Sequence, residues 1–304
     1  MSDTKDNKDA APIRRRKQLI ARRWCFFVLL VLTIFFFVIW TNTHCSKFWN
    51  VLSWVIFGVW LFTLFQVLYC KFFPPIITPL MVKRFFQQRK TDGANVRFEW
   101  KYVPIEEISP NMINVADTAE NMGLFFYCRG FLFKALRQAY NLNKTCDTLR
   151  GGSVIYQQTA KNCFLPHNRT LFRKIVEAYY VVLMELFWSK KRIMEYYLNI
   201  IEFGKGIYGC EAASQHYFRH SAASLNEDEA LLLAASLPWP LRANPNNHTP
   251  YYDRRILLLK KRLLSYEPID WDAKYGDVDL QKIEEGNRGL VFFVKWWCLQ
   301  QIKN

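Results

Sequence analysis

Familiar signatures of catalysis and metal binding are absent from this chain of 304 residues. Its eight cysteines form no C-x-x-C pair and no zinc-ligand spacing. The chain also lacks a Walker phosphate-binding loop and a G-x-S-x-G nucleophile elbow. His216 and His220 stand four residues apart, but HYFRH lacks the glutamate of H-E-x-x-H and no third ligand is apparent. We therefore predict neither a metal site nor the nucleophilic chemistry of these motifs.

Acidic residues are scarce relative to basic ones. The 26 aspartates and glutamates face 41 lysines and arginines, which gives a formal net charge of +15. Such a balance predicts a negatively charged partner, either nucleic acid, anionic lipid headgroups or a phosphorylated substrate. Because the chain also carries long apolar runs, we favour lipid or a phosphorylated substrate, and we predict no nucleic acid partner.

Charge is missing altogether from two stretches, 24–40 and 51–70. A helix needs about 20 apolar residues to cross the hydrocarbon core, so the second stretch is long enough and the first is marginal. No small-residue cleavage site follows the first stretch, which argues against a signal peptide. The arginine-rich residues 14–23 favour a cytoplasmic N-terminus. One crossing would leave the rest of the chain outside and two would return it, and the sequence leaves both open.

Regular β alternation is scarce after residue 110, whereas apolar residues recur every three or four positions over 171–203 and 227–237. This pattern predicts an all-α domain behind N-terminal transmembrane helices. The predicted organisation is a basic cytoplasmic tail at 1–23, membrane segments within 24–70, a juxtamembrane linker at 71–100, a globular domain at 101–265 and a C-terminal tail at 266–304.

The stretch RGGSVIYQQTAKN, residues 150–162, concentrates polar groups in an otherwise apolar chain. Its glycine pair predicts a tight turn, and Ser153 is a favourable N-cap for a helix that places Gln157 and Lys161 on one face. Free N–H groups at such a helix start bind anions, and Arg150 adds positive charge there. The alternative is an ordinary capped helix with a solvated polar face.

A second polar group lies in the apolar run that follows. Glu177 stands four residues after Arg173, and a carboxylate among long apolar runs is costly to bury unless it is paired. It is either a catalytic or positioning carboxylate or one half of a simple helix ion pair. The sequence pattern by itself does not separate these two roles.

Several segments together resemble the glycosyltransferase family 51 peptidoglycan transglycosylases, in particular the monofunctional biosynthetic type. The resemblance covers roughly residues 75–265, and the order and spacing of its segments make it specific. The matching segments are PLMVKR, RGGSVIYQQTAKN, RKIVEAY, SKKRIMEYYLNIIEFGKGIYGCEAA and EALLLAASLPWPLRANP.

The resemblance implies a lysozyme-like, all-α domain that polymerises lipid II at the outer face of the bacterial cytoplasmic membrane. Undecaprenyl pyrophosphate would leave, with lipid II, the growing glycan strand and membrane lipids as partners and other cell-wall synthesis proteins as further candidates. No cofactor is required, although a divalent cation assists some relatives. The implied catalytic residues are Glu120 and Glu177. The implied substrate-binding residues are Arg150, Gln157, Gln158, Lys161, Arg173 and Asn199, the last at a position that is either structural or substrate-facing.

The family's motif for the catalytic base, E-D-x-x-F-x-x-H-x-G, is poorly kept in AENMGLFFYCRGF. Glu120 takes the place of the glutamate if one residue is inserted, Asn121 replaces the aspartate, and the histidine is missing. Glu120 remains the candidate base because an asparagine does not accept and carry a proton at neutral pH. The alternatives are a non-catalytic lipid II-binding or scaffold protein and, less favoured by the cations, a lytic enzyme.

Overall fold

A computed structural model describes residues 46–121, 125, 153–167 and 170–266, together with 28, 31–32, 34–40 and 42–43. Two compact units divide at Phe72. The first holds a long apolar helix, and the second begins at Phe73 and holds the other elements named below. Arg150 and the predicted C-terminal tail, except for its first residue, lie outside the described residues.

The apolar helix α1 spans Lys47–Phe72 and contains the whole of the predicted segment 51–70. It has a mean hydropathy of 2.1 and is long and apolar enough to cross a membrane. It ends at Phe72, so that Phe73, the residue before Pro74 and Pro75, is already outside the helix. The sequence predicts this end, because proline disfavours helical geometry in the residue before it. The other apolar stretch, 24–40, is described only in part, where residues 34–40 are helical.

Helix α2, Pro79–Asp92, and the short strand β1, Glu99–Trp100, lie in the region that we predicted to be a juxtamembrane linker. Thr78 caps α2 by accepting a hydrogen bond from the backbone of Met81. Arg84 forms an ion pair of 2.9 Å with the buried carboxylate of Glu202, which holds α2 against the domain. The region therefore contains regular structure that is packed on the second unit.

Within the part of the second unit that the structure describes, eight helices pack together, as the predicted all-α class requires. After α2 come α3, Pro110–Asn121; α4, Ile155–Phe164; α5, Leu171–Phe187; α6, Lys190–Ile200; α7, Cys210–Phe218; α8, Glu227–Ser236; and α9, Pro250–Leu263, with 3-10 turns at Ile105–Glu107 and Ala222–Ser224. Helix α6 is central, since every residue from 193 to 200 is buried. Helix α4 packs against α5 and α6, and α3 packs against α8 and α9.

A small sheet completes the described part of the domain, in the order β1-β3-β2. Strand β2 is Glu202–Gly204, and β3 is Ile207–Tyr208, which pairs antiparallel with β2 and parallel with β1. Gly206, in the turn between them, has φ of +74°, and a Cβ there would lie 2.1 Å from the carbonyl oxygen of Arg97. Only glycine fits this close approach of two backbones.

Candidate active site

Glu120 lies in the last turn of α3 and is held by two other helices. Its Oε2 accepts a hydrogen bond of 2.5 Å from the Gln158 side chain on α4, and its Oε1 accepts one of 3.0 Å from the Arg255 guanidinium on α9. The carboxylate is only 12% exposed. The acid is therefore fixed in one orientation, yet it keeps access to solvent.

The neighbouring Asn121 is fully buried and joins α3 to the start of α4. Its side-chain oxygen accepts a hydrogen bond of 2.9 Å from the backbone N–H of Ile155, the first residue of α4. An aspartate would make the same bond through either oxygen, so the amide at this position keeps the contact. Residues 120 and 121 together therefore set the position of the helix that carries the glutamine pair.

The predicted N-cap at Ser153 is wrong, because α4 begins one residue later with Val154 as its N-cap. The Ser153 hydroxyl instead accepts a hydrogen bond of 2.9 Å from Lys174 on α5. The long-range bond from Asn121 supplies the acceptor that a local cap would give to Ile155. The backbone N–H of Val154 is also used internally, since it donates to the Gln157 side chain at 3.3 Å.

Glu177 sits at the centre of a basic cluster on α5 and α4. Its carboxylate is 1% exposed and accepts hydrogen bonds from both Arg173 and Lys174, the residues four and three positions before it. Lys174 was missed by the sequence reasoning, although its spacing of three from Glu177 is a recognisable helix pair. The ion pair between Glu177 and Arg173, one of the two alternatives that the sequence left open, is therefore observed. It is one part of a larger buried arrangement.

Lys161 links this basic cluster to Glu120. Burial lowers the pKa of Lys161, the charge of Glu177 raises it, and the nearby Arg173 and Lys174 lower it again. The charge of Glu120 acts on the same ammonium group, so Lys161 lies within electrostatic range of both carboxylates. Three basic side chains around Glu177 leave this end of the site with an excess of positive charge, which suits a phosphate or pyrophosphate group.

The two predicted glutamines differ in their surroundings. Gln158 is half-buried and bonded to Glu120, whereas Gln157 is 3% exposed and its side-chain oxygen accepts from Val154. Asn199 is fully buried: its side-chain oxygen accepts from the Val103 N–H at 2.9 Å, and its NH₂ group donates to two backbone carbonyls at 2.8 Å. These contacts fit a structural role for Asn199, which is one of the two roles that the sequence left open.

Asp117, one turn before Glu120 on α3, is a buried acid that the sequence reasoning missed. It accepts hydrogen bonds from the backbone N–H of Phe125 at 3.0 Å and from the Tyr266 hydroxyl at 3.1 Å. Burial is the main cause that raises the pKa of Asp117 to about 7, and the two hydrogen bonds oppose it. The available signal was a charged residue on the apolar face of α3.

Among the described residues, no group of three or more histidine, cysteine, aspartate or glutamate side chains is arranged to hold a metal ion. His216 bonds to Glu99 at 3.0 Å, and His220 bonds to Glu229 at 2.9 Å. The two histidines therefore have separate partners, each of which is a carboxylate. The absence of a required cofactor stays a prediction.

An acid held at the end of one helix, beside a basic cluster built around a second acid, suits an enzyme that transfers groups to or from an anionic substrate. The Transglycosylase family model matches residues 89–263, more than half of the chain. The chain therefore belongs to the Transglycosylase family, glycosyltransferase family 51, and its helical domain has the lysozyme-like fold that the resemblance implied.

Proteins named "Biosynthetic peptidoglycan transglycosylase" are similar to this chain over most of their length. The one from Caulobacter vibrioides is 48% identical over 176 residues, which cover 58% of this chain and 73% of the relative. The one from Bdellovibrio bacteriovorus is 43% identical over 219 residues, 70% of this chain and 86% of the relative. These similarities support a peptidoglycan transglycosylase function and, with α1, association with a membrane.

Proposed function

We propose that this protein polymerises lipid II into glycan strands and releases undecaprenyl pyrophosphate. The observation that carries the proposal is the geometry around Glu120. A partly exposed carboxylate, bonded to Gln158 and Arg255, lies within electrostatic range of Lys161 in the basic cluster. A proton acceptor and a site for a departing anion are thus close together.

The proposed reaction joins an acceptor sugar to the growing strand. The Glu120 carboxylate takes the proton of the acceptor's 4-hydroxyl group while that oxygen forms a bond to the anomeric carbon of the strand. The bond from the anomeric carbon to the pyrophosphate oxygen breaks, and the leaving group keeps the electron pair. Attack from the face opposite the leaving group inverts the configuration. The proton that Glu120 gained is then lost to water, which restores the base.

Lys161, Arg173 and Lys174 are proposed to stabilise the charge that develops on the leaving pyrophosphate. Cations fixed before the reaction stabilise developing charge more effectively than mobile water, because they need no reorganisation. Glu177 holds Arg173 and Lys174 in place through two hydrogen bonds. We therefore assign Glu177 a positioning role toward the cations, and Glu120 the role of base.

Asn121 supports activity in spite of the altered motif. Its side-chain oxygen accepts a hydrogen bond from the backbone N–H of Ile155, and this bond requires only an oxygen acceptor. An amide provides that acceptor as well as a carboxylate does. The substitution of the family's aspartate therefore need not disturb the position of α4.

We place the domain outside the cytoplasmic membrane, where lipid II is polymerised. This requires either that residues 24–40 do not cross or that the N-terminus lies outside, against the preference of the arginine-rich residues 14–23. A reporter fused after residue 304 tests the orientation. Activity of a reporter that works only in the periplasm is expected, and activity of a cytoplasm-only reporter would refute this part of the proposal.

The catalytic part is tested with purified full-length protein and labelled lipid II. The wild type is expected to form polymer, and Glu120→Gln is expected to lose about 10²-fold or more in rate because it removes the proton acceptor. Glu107→Gln, at an exposed acid, is the matched control and should retain activity.

The competing function is a protein that binds lipid II without polymerising it. The altered motif around residues 120–121 is the observation that favours it. Absence of polymer from the wild type, together with retained binding of lipid II, would reject the enzyme and support the binding protein.

A further inference from the structure

Arg255 reaches Glu120 from a helix that is firmly packed. Tyr252, three residues earlier on α9, is fully buried and donates a hydrogen bond of 2.6 Å to the Leu232 carbonyl. Leu259, four residues after Arg255, is also fully buried. Arg255 therefore lies on the packed face of α9, while the adjacent Arg254 is exposed.

The ion pair between Arg255 and Glu120 is largely shielded from water. The side chains of Arg255 and Glu120 are 16% and 12% exposed, and Arg255 Nη2 lies 3.0 Å from Glu120 Oε1. A shielded pair of opposite charges interacts more strongly than a surface pair, and a partner lost from it leaves an uncompensated charge. The pair thus has a larger effect on the orientation of Glu120 than an exposed contact would have.

Other charged and titratable groups face Glu120 from the elements packed around it. Lys161 acts on it from α4 and Tyr197 from α6, and Asp117 lies one turn earlier on α3. Two acids of α8 have partners elsewhere, since Asp228 pairs with Lys260 and Glu229 with His220, and Glu227 is exposed. Arg255 is the cation that contacts the Glu120 carboxylate among the described residues.

Tyr197 lies within electrostatic range of this ion pair. Its side chain is fully buried, and burial and then the charge of Glu120 raise the pKa of its hydroxyl well above the ordinary value, while Arg255 opposes this. The hydroxyl stays neutral at any pH at which the enzyme works. Among the described residues, neither this hydroxyl nor the Arg255 Nε has a hydrogen-bond partner. Two buried donors therefore remain beside a carboxylate that has lone pairs to spare.

We infer that Arg255 is a positioning residue for Glu120. It holds Oε1 by a hydrogen bond, which leaves Oε2 and its second lone pair for the acceptor hydroxyl. This inference rests on the proposed function, because it assumes that Glu120 is the base.

The test measures kcat and KM of lipid II polymerisation by the full-length chain. In Arg255→Gln the Glu120 carboxylate loses the cation that fixes its orientation, so kcat should fall roughly tenfold. The KM for lipid II should stay within about twofold, because the change affects the base and leaves the cations around Glu177 in place.

Two further variants separate positioning from simple support of the fold. Arg255→Lys keeps the cation and should restore much of kcat, and Arg254→Gln, on the exposed face of α9, should leave both constants unchanged. A loss of kcat in Arg255→Gln that lysine does not rescue would overturn the inference, as would a rise in KM at unchanged kcat or a variant with wild-type kcat.

Failure of the proposed function has a different outcome. If Glu120→Gln polymerises lipid II at the wild-type rate, Glu120 is not the base and both proposals fall. If Glu120→Gln is inactive and Arg255→Gln keeps the wild-type kcat, only the role of Arg255 is rejected.

Discussion

Glu177 is buried and Glu120 is half-buried. Both are paired with cations, but they find their partners in different ways. Glu177 bonds to Arg173 and Lys174, four and three residues away on its own helix. Glu120 bonds to Gln158 and Arg255, which are 38 and 135 residues away on two other helices. The first arrangement is local, and the second exists only when the whole domain has folded.

This difference has a consequence for function. A local pair persists when neighbouring helices shift, so Glu177 keeps its cations together as a unit. The position of Glu120 depends on three helices at once, so a small movement of α9 or α4 alters its orientation. The base is therefore the part of the site most sensitive to packing.

The largest effect is expected from Glu177→Gln. Removing one partner of a buried ion pair costs about 3–5 kcal/mol, because Arg173 and Lys174 would lose their shared acceptor. We expect polymerisation to fall by about 10²-fold or more and thermal stability in detergent to drop. Glu227→Gln, at the exposed start of α8, is the control. A variant with wild-type rate and stability would show that the local pair is dispensable.

A smaller effect is expected from Asp117, which should make the free energy of unfolding depend on pH. Its pKa is about 7 in the fold and about 3.9 when unfolded, so the folded state holds the proton more tightly. Its contribution to stability is fully present below about pH 4 and is lost as the pH rises through 7. Unfolding followed at pH 5 and pH 8 should show a smaller difference in Asp117→Asn than in the wild type. Equal differences would contradict this prediction.

The hydrogen bond between Asn121 and the start of α4 should contribute still less to stability. Asn121→Ala leaves the Ile155 N–H without its acceptor, which costs about 1–3 kcal/mol for a buried donor. Asn121→Asp should keep the bond and the polymerisation rate. Thermal unfolding and lipid II assays of both variants check this. Equal loss in the two variants would mean that the amide itself is needed.

The smallest effect is expected at Ser153, which does not cap α4. Ser153→Ala removes only the hydrogen bond from Lys174, whereas Thr170→Ala removes the N-cap of α5. Loss of a cap costs about 1 kcal/mol, and we expect Ser153→Ala to cost less. A larger loss of stability in Ser153→Ala would point to a greater role for the contact with Lys174.

Much of the fold was predictable because helix formation depends on residues that are close together in the sequence. The three-to-four-residue spacing over 171–203 and 227–237 predicted α5, α6 and α8, and the proline pair predicted the end of α1. The cap of α4 was mispredicted because Asn121, a residue 34 positions away, supplies the acceptor. Asp117 was missed for a similar reason, since its partners Phe125 and Tyr266 lie beyond its own helix.

The sequence by itself determined the family, the helical class and the apolar helix α1, because each depends on motifs or on a periodicity among residues that are close together in the chain. Tertiary structure alone decided which groups hold Glu120. It also decided that the Asn121 side chain accepts a hydrogen bond from the start of α4, and that the Asn199 side chain forms its hydrogen bonds with backbone groups. These contacts join residues from 34 to 135 positions apart. Such distances carry no periodic signal along the chain, and only the packing of helices around α6 brings the groups together.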